Sequence, residues 1–323
     1  MSGHILLAYG FDGKGGGTAL NGKEISQHLE DDKLAWVHLD ANDSKTPEWM
    51  QAEISYLDPF IIEAILAEET RPRLTEIGDG AIIILRGVNL NEEGDEEDMV
   101  SIRLWIDAHR IISVQRRNVK AVKTLESKIK AGTGPANSGR FIGMLLSQLF
   151  GRFEPVLTAL DERTDDTEEA VIRDGNTQLR KDITDIRKKA IVFRRHMSPQ
   201  KDAVSQLRMA EFSWIDDKDR RHLQENYNFV LRYGEELDAI RERAQIVKDE
   251  LANMISDRMN KNMYILSMIS AVFLPLGFLT GLLGINVGGI PGSENTSAFL
   301  IFCGFLSFVI LMQLVIFRKL KWI

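Results

Sequence analysis

Two apolar stretches near the end of the chain, Met263–Leu283 and Ala298–Phe317, constrain everything else about it. Each is about twenty residues long and has no ionisable side chain, enough for a helix to cross a hydrocarbon core of roughly 30 Å. No earlier segment has such a stretch. The expected organisation is a large soluble body joined to a small two-pass membrane portion. The boundaries read as an α/β domain over 1–135, a helical and stalk region over 136–260, and a membrane pair over 261–323.

The charge separates the same way. From Arg258 onward the bases are Arg258, Lys261, Arg318, Lys319 and Lys321, against Glu294 alone. That segment is +4, and the whole-chain −7 leaves −11 for residues 1–257. An acidic body argues against nucleic acid as a partner, which needs basic surface to displace phosphate counterions. It suits a protein that attracts cations. Cys303 is the only cysteine and lies in the second apolar stretch, so an internal disulfide and a Cys-based zinc cluster within one chain are excluded. Met1-Ser2-Gly3-His4 lacks the pattern of a secretory signal.

The inter-helix loop, Gly284–Ser297, has no Lys or Arg, whereas bases flank the outer ends of both spans. The positive-inside rule then puts both termini in the cytoplasm and a short loop outside.

Before the spans, Leu34–Leu39 reads as a strand and Pro47–Glu68 as helical. Two hairpins follow: Leu74–Ile77 with Ala81–Val88 through Gly78-Asp79-Gly80, and Val100–Asp107 with Ile111–Gln115 through Ala108-His109-Arg110. The acidic run Asn91–Asp98 reads as a solvated loop. These elements make a mixed α+β domain, closed by the break at Gly132-Thr133-Gly134-Pro135. Helix is expected over Arg140–Arg173 and again over Gln178–Met197, stopping at Ser198-Pro199. From about Ala203 to Leu283 the pattern predicts one nearly continuous helix, on the order of 120 Å long, with Gly234 and the patch Trp214–Asp219 as weak points. Such a length suits a stalk that feeds a membrane.

Two faces run along that helix. Val230, Tyr233, Leu237, Ile240, Ala244, Val247, Leu251 and Met254 alternate steps of three and four, the spacing of a packed seam. Roughly opposite, a second track passes through Glu235, Asp238, Glu242, Gln245, Asp249, Ala252, Ser256 and Asn260. It continues as Met263, Ser267, Ser270, Leu274, Gly277 and Gly281. Serines and glycines gain nothing from facing lipid; a helix–helix contact or a wet lumen accommodates them. A plain reading makes the track the wet side of a stalk followed by tight packing. The sharper one makes it a pore face with an acidic vestibule, which two spans per chain can form only in a closed homo-oligomer.

Gly284-Ile285-Asn286, directly after the first of two C-terminal spans and behind a long helix, resembles the CorA family of divalent-cation transporters, whose members carry Gly-Met-Asn there. Ile for Met, followed by Val287-Gly288-Gly289-Ile290-Pro291-Gly292, resembles the ZntB zinc-transport branch. Glu69-Thr70-Arg71-Pro72-Arg73, Gly132–Pro135, Met197–Asp202, Phe273-Leu274-Pro275 and Phe278-Leu279-Thr280-Gly281 are similar to that branch as well. The resemblance implies a funnel-shaped homopentamer in the bacterial inner membrane, with an α/β/α cytoplasmic domain, a stalk helix that becomes the first span, and an outer ring of second spans. It places the pore face on Asn260, Met263, Leu274, Gly277, Gly281 and Asn286, with Asn286 in a ring at the outer mouth. Five of these six lie on the track read from spacing. Arg318, Lys319 and Lys321 resemble the family's basic ring, although anchoring the topology explains them equally well. Glu294 reads as an ordinary loop residue.

A divalent ion costs more to dehydrate than a monovalent one. If unit charge costs about 20 kcal/mol in a low dielectric, a double charge of similar size costs roughly four times that. The track offers no carboxylate, imidazole or thiolate within the membrane, so the expected passenger is a hydrated cation whose waters meet Asn286. Leu274 and Met263 are candidate constrictions. Zinc prefers His and Cys ligands, yet His4, His28, His38, His109, His196 and His222 show no ligand spacing. Zinc preference therefore rests on the resemblance, with a Mg2+, Co2+ or Ni2+ channel as the alternative. Glu235, Asp238, Glu242 and Asp249 would concentrate any divalent cation, Asp249 being nearest the bilayer. No resident cofactor is expected beside the transported ion.

Two other classes compete. Gly17-Thr18-Ala19-Leu20-Asn21-Gly22-Lys23-Glu24 nearly spells a phosphate loop, but Glu24 stands where a Ser or Thr would ligate Mg2+ and would repel phosphate. An enzyme is therefore not expected, and the energy for transport would come from the ion gradient, the membrane potential or coupled protons. A membrane-anchored scaffold or sensor is the other, but a plain anchor has no reason to align Ser267, Ser270, Gly277 and Gly281 with an acidic face.

Overall fold

The computed structural model describes residues 3–30, 33–54, 57–68, 71–92, 94–285, 290, 292 and 295–320. They form two compact units, Met1–Asp249 and Glu250–Ile323.

The first unit is built on a seven-stranded sheet of order β2-β1-β3-β7-β6-β5-β4. Its strands are β1 (Ile5–Phe11), β2 (Gly17–Ala19), β3 (Ala35–Asp40), β4 (Arg73–Ile77), β5 (Gly80–Gly87), β6 (Val100–Ile106) and β7 (Arg110–Gln115). All neighbours are antiparallel except β3 and β7, where Trp36 pairs with Ile111 and His38 with Ser113. The two expected hairpins are β4–β5 and β6–β7. The strands alternate faces, and both faces are apolar. Val37, Leu39, Ile82, Ile84, Ile112 and Val114 form one core with α1 (Lys23–Glu30), α2 (Lys45–Glu53) and α3 (Pro59–Leu66).

On the other face lie α4 (Lys120–Lys130), α5 (Ser138–Asp174) and α6 (Leu179–Met209). Trp36 meets Phe141 of α5 edge-on at 4.9 Å, and Tyr9 donates its hydroxyl to Glu126 of α4 at 3.1 Å. The result is an α/β/α sandwich. The boundary read at 135 separates its α/β portion from helices that pack onto the same sheet.

Local chemistry sets the helix ends. Asp58 caps α3 through Phe60 N at 2.9 Å with Pro59 at the first position, and Asn137 caps α5 through Arg140 N at 2.6 Å. Gly175 ends α5 in the left-handed region, φ 53°. The helical reading of 47–68 resolves into α2 and α3, separated before Asp58.

Two expectations fail. The helix read as stopping at Ser198-Pro199 continues through Pro199 to Met209, with Met197, Gln200, Ala203, Val204 and Leu207 buried. The continuous helix from Ala203 is interrupted over 210–216, and α7 (Asp217–Leu283) starts afresh. That interruption is anchored: Phe212, Trp214 and Ile215 are buried, Trp214 Nε1 donates to Asp79 O at 2.7 Å, and Ser213 N donates to Asp79 Oδ1 at 2.9 Å. Burying two aromatics and an isoleucine outweighs a few helical hydrogen bonds at a polar, poorly propagating site.

The acidic run is also less free than expected. Asp98 accepts two bonds from Arg117 at 2.5 and 3.0 Å, and Lys189 lies 3.5 Å from both Glu96 and Glu97. The near-phosphate loop does not form a strand–loop–helix cradle: Gly17–Ala19 is edge strand β2, and Glu24 accepts from Asn21 N at 3.1 Å at the start of α1.

In the second unit, the C-terminal part of α7 accompanies α8 (Ala298–Lys319). Both helices are long and apolar enough to cross a membrane.

Candidate functional site

The two faces read on α7 separate in the structure. Val230, Tyr233, Leu237, Ile240, Ala244 and Val247 are buried within the first unit. Tyr233 packs on Phe153 of α5 with ring centroids 5.4 Å apart and donates to Phe150 O at 3.4 Å. The seam therefore closes a helical bundle inside one chain. Arg243 extends it with an ionic clamp, meeting Asp161 at 3.1 Å, Glu168 at 3.0 Å and Asp165.

The acidic track lies outside that seam, but its charge is uneven. Asp238 is 3.0 Å from Arg194 Nε and 3.5 Å from Arg241, and Glu242 is 3.6 Å from Arg241. Asp249 is exposed and accepts from the uncharged amide of Gln245 at 2.9 and 3.0 Å. Glu235 is exposed. Two of the four vestibular candidates thus already have cationic partners: Arg241 lies beside them in the sequence, whereas spacing could not reveal Arg194, which lies on another helix.

In the second unit, Asn260, Met263, Ser267, Ser270, Leu274, Gly277 and Gly281 are all exposed in the single chain. Within the span Met263–Leu283 the partly covered positions are Met268, Ala271, Val272, Leu276 and Leu279. Those positions are centred roughly 150° round the helix from the track. On α8 the partly covered residues include Cys303, Leu306, Val309 and Gln313, and Gln313 Nε2 donates to Ala271 O at 3.5 Å. A Cβ added to Gly277 or Gly281 would meet nothing within 4 Å. The small residues of the track are therefore not there to let α8 approach.

Thr280 turns its hydroxyl back onto its own helix, to Leu276 O at 2.9 Å and Gly277 O at 3.2 Å. At Gly284 a Cβ would lie 2.8 Å from Thr280 O, so glycine is required where the helix ends. Ile285 is exposed; Asn286, Glu294 and Lys321, like Glu69 and Thr70, lie outside the described residues. Arg318 and Lys319 are exposed in the last turn of α8, where cations favour the helix dipole. Among the described residues no group of three or more His, Cys, Asp and Glu side chains is placed to hold a metal.

Sequence reasoning passed over Gln313, the amide on the covered face of α8. Its signal was there: a strongly polar side chain within an apolar span, with a proline in the other span.

This arrangement of sandwich, long helix and two spans has counterparts. The family of CorA-like Mg2+ transporter proteins matches residues 31–319. The chain belongs to that family. Among its CorA-like relatives, the divalent cation transporter CmaX of Pseudomonas aeruginosa is 34% identical over 322 residues, covering 99% of this chain and 97% of the relative. The zinc transport protein ZntB of Yersinia pseudotuberculosis is 33% identical over 318 residues, covering 98% and 96%. The solved structure of full-length CmaX covers 100% of this chain and 99% of its own, with a TM-score of 0.87 and 34% identity.

Proposed function

We propose that this protein carries divalent metal cations, Zn2+ foremost, across the bacterial inner membrane. The path is an axial pore lined by the α7 spans of five copies, with the α8 spans outside and both termini in the cytoplasm. The observation that carries this reading is the exposed Ser267–Ser270–Gly277–Gly281 face, which looks away from α8 and has open space beside both glycines among the described residues. A lipid-facing helix has no use for such a face; a shared wet axis does. Met263 and Leu274 on the same face supply apolar constrictions. Asn286 from each copy forms the amide ring that meets the ion's first-shell waters. Asp249 and Glu235 raise the local cation concentration before the pore, and the pore needs no catalytic group.

The relatives named for divalent cation and zinc transport support the substrate class, and the zinc preference follows the ZntB likeness. A second reading, a Mg2+, Co2+ or Ni2+ channel, is favoured by the track itself, whose hydroxyls and amide select for charge and hydrated size rather than for soft ligands.

The test is uptake of Zn2+ into liposomes containing the full-length protein, with Mg2+ as competitor and Asn286→Ala beside the wild type. Flux that is saturable, resists Mg2+ and falls on removal of the amide is expected. Flux indifferent to Asn286 removes the ring, and a stable monomer by native mass spectrometry removes the pore.

A further inference from the structure

Pro275 lies within the first span and has no N–H, so the i→i−4 ladder of α7 cannot supply a donor to the carbonyl of Ala271. In a bilayer, water is not at hand to replace it, and a bare carbonyl there is strongly disfavoured. The atom facing Ala271 O is Gln313 Nε2 of α8, at 3.5 Å, a weak contact somewhat longer than the usual N–H···O bond of about 2.7–3.2 Å. A carbonyl can only accept, so chemistry fixes which end of the amide points at it. Gln313 is itself half covered, and its Oε1 is buried without a partner among the described residues. An amide held in an apolar span with one end unpaired is costly, so the bond at its other end must justify it.

We propose that Gln313 is a positioning residue for the first span: its side-chain amide supplies the N–H that Pro275 lacks and fixes α7 at the interrupted turn. Leu274, a candidate constriction, is the residue before Pro275 and faces away from α8. Gln313 thereby holds the backbone that aims Leu274, and links the second span to the first at that depth. The link to Leu274 rests on the pore reading above; the hydrogen bond does not.

The experiment is a double-variant cycle in the full-length protein, with Gln313→Met (similar volume, no donor), Pro275→Ala (donor restored within the helix) and the two together. The readouts are thermal unfolding of the solubilised protein and Zn2+ flux in liposomes. Gln313→Met is expected to lower the melting temperature and alter flux severalfold when Pro275 is present. It should change neither further in the Pro275→Ala background, where the restored backbone N–H donates to Ala271 O. Equal effects of Gln313→Met in both backgrounds would overturn the proposal, because Gln313 would then act on something other than the carbonyl Pro275 exposes. If Gln313→Met fails to assemble only beside Pro275, the proposal stands; failure in both backgrounds counts against it. Absence of flux in the wild type would end the transport reading, while the melting cycle still decides the role of Gln313.

Discussion

Gln200 of α6 grips the backbone of Arg86 in β5 with both ends of its amide: its Oε1 accepts from Arg86 N at 2.6 Å and its Nε2 donates to Arg86 O at 3.0 Å. The neighbouring edge strand reaches only as far as Arg73 opposite Ile84, so Arg86 extends past it. A buried side chain from a helix has taken the place of the missing strand residue. Replacing Gln200 with Leu would leave one donor and one acceptor unpaired in the interior. The expected cost is about 2 kcal/mol, read as a lower midpoint in thermal or urea unfolding of the solubilised protein. An unchanged midpoint would mean water reaches Arg86.

The clamp between α5 and α7 should be weaker than its drawing suggests. Arg243 meets three carboxylates, and their hydrogen bonds and charge hold its guanidinium even more firmly protonated than usual. All four side chains are substantially exposed, so solvent and salt screen them. Arg243→Ala is expected to cost about 1 kcal/mol at low salt, and less in molar salt as the freed acids cease to repel each other. A loss that does not shrink with salt would point to lost packing of the arginine stem instead.

Acid sensitivity of the first unit should come partly from His196. Burial, then the positive charges of Arg86, Arg195 and Arg71, push it down to about 4. Unfolded, it takes up its proton near 6.5, so between about 6.5 and 4 the unfolded chain binds more protons and stability falls as the pH falls. Buried His38, held through Nδ1 to Ser113 Oγ at 2.8 Å, is likewise pushed down to about 4, chiefly by burial, and adds in the same direction. Melting temperatures at about pH 7.5 and about pH 5.5 should therefore differ, and His196→Gln should narrow the difference. The same gap in the variant would assign the acid sensitivity to other groups.

Among the acids proposed for a vestibule, neutralising Asp249 should matter more than neutralising Asp238. Asp249 faces solvent beside an amide, whereas Asp238 already balances Arg194 at 3.0 Å. In liposomes at low ionic strength, Asp249→Asn is expected to raise the Zn2+ concentration needed for half-maximal flux by a few-fold. Asp238→Asn should change it little. The reverse order would mean that its pairing with Arg194 and Arg241 does not silence Asp238 toward an approaching ion.

What the chain's sequence settled was whatever depends on local periodicity or on uninterrupted apolar length. Two ion-free stretches suffice for two candidate spans, paired apolar runs joined by short turns (Gly78-Asp79-Gly80 and Ala108-His109-Arg110) suffice for both hairpins, and steps of three and four suffice to separate the buried seam of Val230–Val247 from the acidic track. Tertiary contacts decided the rest, because the deciding partners are far away along the chain. Pro199 does not end α6, since burial of Met197 through Leu207 and the Gln200 grip on β5 compensate for one lost helical bond. The long helix breaks at 210–216 because Trp214 reaches Asp79, 135 positions earlier. Asp238, read as a vestibular acid, is balanced by Arg194, 44 residues earlier, and the carbonyl that Pro275 leaves bare is answered 42 residues onward by Gln313. A periodic pattern shows which side of a helix is special; only folding in space shows what stands opposite it.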